Sequence, residues 1–333
     1  MDILCFGEPL IRLATVAHER LDEARSMDIS YSGAECVVAI TLAQMGESVA
    51  FAAKVSSNRL GNNAIMNLAR YGVNTSRVLR SNHRMGFYYT ERGRSIRPTV
   101  VTYDRTDTAM ANAKRGDFDW DRMLNGIEVF FFSGVVPAIS EEMYHATLDA
   151  LKACKGRGIQ TIMDLNYRET MWKHDDALQK VHKLLNYVDV LVASEDDIIT
   201  IKNAKIEESE VFDFCLGWAR GLMMDYPLKS ICFVMRQIDR YDVALIRGGM
   251  VTRGDTFLSL PQRVSLADIS SCGSVFAAAI IHGISSKWEP QFMIDFATMT
   301  SAFKATVSGD LSFASESEIA NLLAAGVKPS IRQ

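Results

Sequence analysis

From residue 129 onward the chain repeats one pattern, a short apolar run of strand length followed by a longer stretch with apolar residues at helical spacing. The periodicities predict strands at 129–133, 161–165 and 188–193, and helices at 141–155, 175–186 and 211–224. Segments 230–235 and 242–247 predict a strand pair, and further helices follow from Ser274 and over 291–306. Strands joined in turn by helices form a parallel sheet with helices on both faces. The chain is thereby constrained to an α/β, doubly wound, mostly parallel sheet flanked by helices. Ligands of such sheets sit outside the carboxyl ends of the strands, so polar residues just after a strand are the candidates for function.

The N-terminal part follows the same logic. Segment 3–7 reads as a buried strand closed by Gly7, Glu8 and Pro9, and 35–45 as a helix stopping at Gly46. A strand at 49–55, a helix at 63–71 ending at Gly72 and a strand starting at 76–79 come next. Between 86 and 103 the pattern changes. Phe87-Tyr88-Tyr89-Thr90 and Thr99-Val100-Val101-Thr102-Tyr103 are β-prone and separated by the polar stretch 91–98, which predicts an antiparallel ribbon. Such a ribbon suits a lid over a site, although an ordinary surface hairpin has the same pattern. With 333 residues, 48% of them hydrophobic, and no linker, low-complexity tract or internal repeat, a single domain over 1–333 is expected.

Several function classes drop out on charge and composition. A net charge of −4 leaves no basic stripe for nucleic acid. Acids near the N-terminus do not fit a signal peptide, and apolar runs such as 129–136 are too short to span a bilayer, so no membrane role and a cytoplasmic location are expected. The six cysteines form no C-x-x-C pair and mostly sit in apolar runs, as reduced core thiols do. The six histidines show no ligand spacing, so no metal site is expected from them.

Three predicted strands end in polar residues: Ser133-Gly134, Asp164-Leu165-Asn166-Tyr167-Arg168 and Ser194-Glu195-Asp196-Asp197. The acidic group could hold Mg²⁺ through waters, or it could form the first turn of a helix, where acids are favoured. A small-residue turn, Ser270-Ser271-Cys272-Gly273-Ser274, opens the apolar helix that follows. Its unpaired N–H groups can bind an anion without a charged side chain. A thiol there, at Cys272, is expected to have a lowered pKa. The stretch 249–256 faintly echoes a P-loop but lacks its Lys, and neither G-x-G-x-x-G nor G-x-S-x-G occurs.

Read together, these motifs resemble the ribokinase-like (PfkB) carbohydrate kinases, and within them the 2-keto-3-deoxygluconate kinases. Phe6-Gly7-Glu8-Pro9-Leu10-Ile11-Arg12-Leu13 resembles the family's opening strand, and Ser32-Gly33-Ala34-Glu35 its sugar-contacting Gly-Gly-Ala-Glu loop. Gly86-Phe87-Tyr88, Glu91-Arg92-Gly93 and Tyr103-Asp104-Arg105 resemble its lid and clamp, Asp164–Arg168 its Asp-Leu-Asn-Tyr-Arg segment, and Thr306-Val307-Ser308-Gly309-Asp310 its Thr-x-x-Gly-Asp turn. The resemblance implies a ribokinase-like sheet with lid pieces near 12–33 and 84–105, and a kinase moving the γ-phosphoryl of ATP, with Mg²⁺, onto a sugar acid. It implies that Gly33, Ala34, Tyr88, Tyr103, Arg105 and Arg168 hold the substrate, the two arginines by pairing with its carboxylate. It places Asn166, Ser194, Asp197 and Asp268 on the nucleotide and Mg²⁺ side, and implies a homodimer through the lid ribbon.

The family signature Asp-x-x-Gly-Ala-Gly-Asp-x-Phe falls on Asp268, Ser271, Cys272, Gly273, Ser274 and Phe276. Asp268, Gly273 and Phe276 match. Ser274 replaces the general base and Ser271 the first anion-hole glycine, while Val37 and Ser194 stand where the family has Asn. A positioned base is worth roughly 10²–10⁴-fold in rate, yet phosphoryl transfer rests mostly on positioning and charge neutralisation. The expectation is a sugar-acid kinase of reduced activity, with a non-catalytic sugar- or nucleotide-binding pseudokinase as the alternative. A third possibility gives the base role to Asp268 or Asp310. If the backbone at Ser271 is left-handed, either Ser271 is strained or the turn shifts.

Overall fold

The structure, a computed structural model, describes residues 1–94, 96–239 and 242–325. The end of the expected 1–333 domain, 326–333, and Ser95 in the lid stretch lie outside the described residues.

The chain starts with β1 (Asp2–Phe6), β2 (Leu10–Thr15), β3 (Met27–Ser32), α1 (Ala34–Gln44), β4 (Ser48–Ser56), α2 (Arg59–Arg70) and β5 (Asn74–Ser81). The pair β6 (Gly86–Glu91) and β7 (Val100–Asp104) follows, then α3 (Trp120–Met123), β8 (Val129–Ser133), α4 (Val135–Ile139) and α5 (Glu141–Arg157). Next come β9 (Gln160–Asp164), α6 (His174–Leu185), β10 (Val190–Ser194), α7 (Glu195–Ile201) and α8 (Val211–Asp225). The last part holds β11 (Ser230–Ile238), β12 (Val243–Thr252), β13 (Thr256–Leu258), β14 (Gln262–Ser265), α9 (Cys272–Ser285), α10 (Pro290–Ala305) and α11 (Glu316–Ala325).

Among the described residues the large sheet holds ten strands, ordered β13-β12-β11-β10-β9-β8-β1-β4-β5, with β14 also on β12. Pairing is parallel from β11 to β5 and turns antiparallel at β11–β12. Strands buried on both faces carry no polar alternation, and the run Val129-Phe130-Phe131-Phe132 shows why. Phe130 and Phe132 join one apolar cluster with α3, α5, α6 and α8, whereas Val129 and Phe131 join the other with α1, α9 and α10. Alternate residues of one strand thus supply two cores. Burial of each such ring is worth about 2–3 kcal/mol.

Local signals set the helix ends. Asn58 caps α2 by accepting from the N–H groups of Leu60 and Gly61, so that helix begins before the predicted 63. Ser140 caps α5, and Gly158 ends it at φ 68°. The echo of a P-loop at 249–256 is a hairpin: β12 runs to Thr252 and turns into β13. A Cβ on Gly249 would lie 2.3 Å from the Phe233 ring, so close packing explains that glycine.

The predicted ribbon is real but not free-standing. β6 and β7 are antiparallel, as expected, and they extend a four-stranded second sheet ordered β3-β2-β6-β7. The strand β3 was not evident from the residues, because Met27-Asp28-Ile29-Ser30-Tyr31-Ser32 buries little of its length and even Ile29 is exposed. Its pairing along β2 from Leu10–Ser32 to Thr15–Met27 is a long-range effect. Ile11, Leu13, Tyr31 and Phe87 on one face of this sheet pack on the α9 side of the core, which seats the other face over the strand ends.

Candidate active site

The strand ends and the small sheet enclose a cavity of about 1020 Å³. Its floor is built at the carboxyl ends of β1, β9 and β10, where Glu8, Asp164 and Ser194 line the one cavity. Its lid side carries Tyr88, Tyr103 and Arg105, and its rear wall carries Arg236 and the turn before α9. Gly33, Ala34, Asn166, Arg168, Asp197, Ser271, Gly273 and Ser274 line the same space. Cys272 and Asp268 do not.

Cys272 is fully buried, and burial pushes its thiol up although Lys304 and Arg236 pull it down. The expected lowered pKa at this helix start is therefore corrected: the side chain points into the core, away from the free N–H groups. Asp268, expected on the nucleotide side, is engaged as a brace. Its carboxylate accepts from the N–H groups of Ser270 at 2.9 Å and Gly309 at 3.0 Å, and Arg12 lies 3.6 Å away. Burial would raise its pKa, but the Ser270 hydrogen bonds, with Lys304 and Arg12, hold it below the usual range. It ties the turn before α9 to the 306–310 turn. Lys304, fully buried, donates to the carbonyls of Asp268 at 3.2 Å and Val307 at 3.1 Å and closes the same junction.

Ser271 caps α9 at φ 61°, in the left-handed region. Of the two outcomes foreseen, the strained one holds, at about 1–2 kcal/mol. The N–H groups of Gly273 and Ser274 have no acceptor among the described residues, and a Cβ on Gly273 would meet nothing within 4 Å. Such free N–H groups can donate to an anion, and Arg236 lines the same cavity with its guanidinium 3.5 Å from Glu195 and 3.4 Å from Asp196. Ser274 lines it at 8% exposure.

The arginines differ. Arg105 is already ion-paired with Glu8, whose other oxygen accepts from Thr108 at 2.6 Å. Arg168 has no side-chain hydrogen bond or ion pair among the described residues, so it is the guanidinium left open to a ligand. Tyr88 and Tyr103 lie with ring centres 5.7 Å apart. The Tyr88 hydroxyl donates to Asp310 at 2.6 Å, and Arg12 donates to the same carboxylate at 2.9 Å.

The acids are mostly occupied. Asp197 accepts from the Ser194 N–H at 2.9 Å, the Ser194 hydroxyl at 2.6 Å and the Tyr167 N–H at 2.7 Å. The group 195–197 is thus the capped first turn of α7, the helix-turn reading of the two weighed. Among the described residues no group of three or more His, Cys, Asp or Glu could hold a metal. Asp164 is pushed up to about 8 by burial, with Asp197 and Glu35 adding to it and Arg168 opposing. Burial also raises Glu35, which accepts from the Ser133 hydroxyl. Glu8, Glu35 and Asp310 belong to motifs quoted above, but only the fold shows that they line the cavity, and Arg236 lies in no such motif.

A doubly wound sheet with a helix start at its carboxyl ends, roofed by a small β sheet, is the arrangement of a protein that can enclose a small polar molecule. Residues 1–217 match the profile of the pfkB family of carbohydrate kinases. A 2-dehydro-3-deoxygalactonokinase of Haloferax volcanii is 30% identical over 326 residues, covering 98% of this chain and 97% of the relative. The crystal structure of a 2-dehydro-3-deoxygluconokinase from Thermotoga maritima superposes with TM-score 0.92 at 33% identity, covering 97% of this chain and 99% of that one. A fructokinase with bound ATP from Xylella fastidiosa shares the fold, with TM-score 0.77 at 18% identity over 97% and 98% of the two chains. The chain belongs to the pfkB carbohydrate kinase family. Its architecture is the ribokinase-like one.

Proposed function

We propose that this protein binds a 2-keto-3-deoxy sugar acid and phosphorylates it from Mg-ATP, slowly, because Ser274 stands at the position of the family's base. The observation that carries the proposal is the meeting, in one cavity, of the open guanidinium of Arg168 with the free N–H groups of Gly273 and Ser274. The names of two well-covered relatives, both kinases of 2-dehydro-3-deoxy sugar acids, support the substrate class.

In this proposal Arg168 pairs with the carboxylate of the acid, and Tyr88, Tyr103 and the backbone at Gly33 and Ala34 hold its hydroxyl end. Arg105, fixed by Glu8, keeps the lid strands against the cavity. Asn166, Ser194 and Asp197 lie on the nucleotide side, and Arg236 with the Gly273 and Ser274 N–H groups holds phosphate oxygens. Bound ATP supplies the transferable phosphoryl group. The Ser274 hydroxyl cannot take a proton at neutral pH, so it orients the reacting hydroxyl without activating it, at a cost of roughly 10²–10⁴-fold. A coupled ADP-release assay with 2-keto-3-deoxygluconate and its galacto epimer tests this; absence of turnover above background with both, at high enzyme concentration, defeats it.

Ser274 and the strained Ser271 also favour a second reading, a non-catalytic pseudokinase that senses its ligands. Calorimetric binding of sugar acid and Mg-ATP without product would select it. The exposed Ile29, Val100 and Val101 of the small sheet support a homodimer through the lid, which sedimentation at several concentrations would detect. The chain is proposed to fold as one domain, visible as a single unfolding transition. Among the described residues no helix is long and apolar enough to cross a membrane.

A further inference from the structure

Lys304, in the last turn of α10, is one of the largest fully buried side chains of the protein, at 0% exposure. A lysine is almost never lodged so deeply unless its ammonium is paired, because an uncompensated charge in the core is costly. Lys304 gives its protons to the carbonyl oxygens of Asp268 at 3.2 Å and Val307 at 3.1 Å, one on each of the two turns that meet there. No other described group donates to either carbonyl. The ammonium also sits at the carboxyl end of α10, where a helix favours a cation. An apolar residue in its place would leave two buried carbonyls without a donor.

The stretch from 267 to 272 is laced to the end of α10 on either side of this point. The Ala267 N–H donates to the Ala305 carbonyl at 2.8 Å, and Ser301 donates to the Cys272 carbonyl at 3.1 Å. Three residues beyond Asp268 the chain makes its left-handed step at Ser271 and enters α9, whose N–H groups at Gly273 and Ser274 are free. Lys304 thus stands behind a turn whose front lines the cavity. Its charge reaches along that turn, helping to lower the pKa of Asp268 and opposing the rise at Cys272.

We propose that Lys304 is a built-in cation of the nucleotide half of the site, a positioning residue whose ammonium clamps the 268 and 307 carbonyls and so holds the start of α9 open to phosphate oxygens. This role rests on the reading above, in which the Gly273 and Ser274 N–H groups meet the phosphates of Mg-ATP. Without the ammonium the two carbonyls lose their shared donor, the turn relaxes and the N–H groups lose their aim. The sugar-acid end, with Arg168 and the lid, is unaffected.

The test is calorimetric titration of wild type and Lys304→Ala with Mg-ATP and, separately, with 2-keto-3-deoxygluconate. Affinity for Mg-ATP is expected to fall by about 10- to 100-fold, as on loss of a charge-assisted hydrogen bond, and that for the acid by less than about threefold. Methylammonium chloride can fill the space the stem vacates. Against choline chloride at the same ionic strength, it should restore Mg-ATP binding to Lys304→Ala and leave wild type unchanged. Lys304→Met keeps the stem without the charge; it should show the same loss without rescue, and it decides the matter if Lys304→Ala does not fold. A merely structural lysine would weaken both ligands alike with no rescue. That result, Mg-ATP affinity within about threefold of wild type in either variant, or failure of both variants to fold overturns the proposal and leaves the sugar-kinase reading in place. Failure of wild type itself to bind Mg-ATP defeats that reading and the proposal together.

Discussion

Replacing Ser274 by Asp is the most informative single perturbation of this protein. Position 274 is the third residue of α9 after the Ser271 cap, inside the first helical turn and lining the cavity. A carboxylate there gains about 0.3–1 kcal/mol from the helix start. Burial opposes that gain, since Ser274 is only 8% exposed, so overall stability should change by no more than about 1 kcal/mol. The effect on turnover should be much larger. A base within reach of the reacting hydroxyl is worth about 10²–10⁴-fold, which corresponds to about 2.7–5.5 kcal/mol of barrier. We expect Ser274→Asp to raise kcat by that factor in the ADP-release assay with 2-keto-3-deoxygluconate, with little change in the affinity for the acid. Ser274→Asn, of the same size but without basicity, should leave the rate at the wild-type level. If Ser274→Asp still binds sugar acid and Mg-ATP yet turns over no faster than wild type, position 274 does not limit the chemistry. The reasoning is then refuted. Equal gains from Asp and Asn would refute it too, because polarity rather than proton transfer would be responsible.

Other consequences are open to direct measurement. Ser271→Gly relieves a left-handed residue at φ 61° and should stabilise the fold by about 1 kcal/mol in urea titrations. Arg168→Ala removes the open guanidinium and should weaken sugar-acid binding by about 10- to 100-fold, as loss of a charge-assisted hydrogen bond does, without lowering Tm. Asp164 has its folded pKa raised to about 8, so its protonated form is favoured by folding. The stability it contributes is complete below the ordinary carboxylate range and is lost as pH rises towards and through about 8. Asp164→Asn should flatten the fall in Tm over that interval, and an unchanged pH profile would contradict the assignment. All six cysteines are buried, Cys272 included, so a thiol reagent should label the native protein far more slowly than the protein in urea.

The sequence was legible wherever a signal repeats locally. The doubly wound sheet follows from apolar runs buried on both faces, and the motifs at Ser32–Glu35, Tyr103–Arg105 and Asp164–Arg168 pointed to strand ends and lid. Helix starts were less legible when a single side chain set them, as Asn58 does for α2. β3 escaped because it is largely exposed and is held by its partner β2 rather than by a buried face. Cys272 was misjudged for a related reason: helix position favours a thiolate, but which way the side chain points is decided by packing against α10, where Ser301 donates to the Cys272 carbonyl at 3.1 Å.

By itself the sequence determined that Ser274 and Ser271 are the residues standing where the resemblance expects an acid and a glycine, since these are matters of identity. Only the tertiary structure decided which charged groups remain free. Arg105 and Arg168 look equivalent in the chain, yet Glu8 occupies one and leaves the other open. Asp310, almost 300 residues from Arg12, accepts from Arg12 and from the Tyr88 hydroxyl because its turn meets strands β2 and β6 of the small sheet. Hydrogen-bond direction depends on which groups share a space, and that is a property of the folded chain.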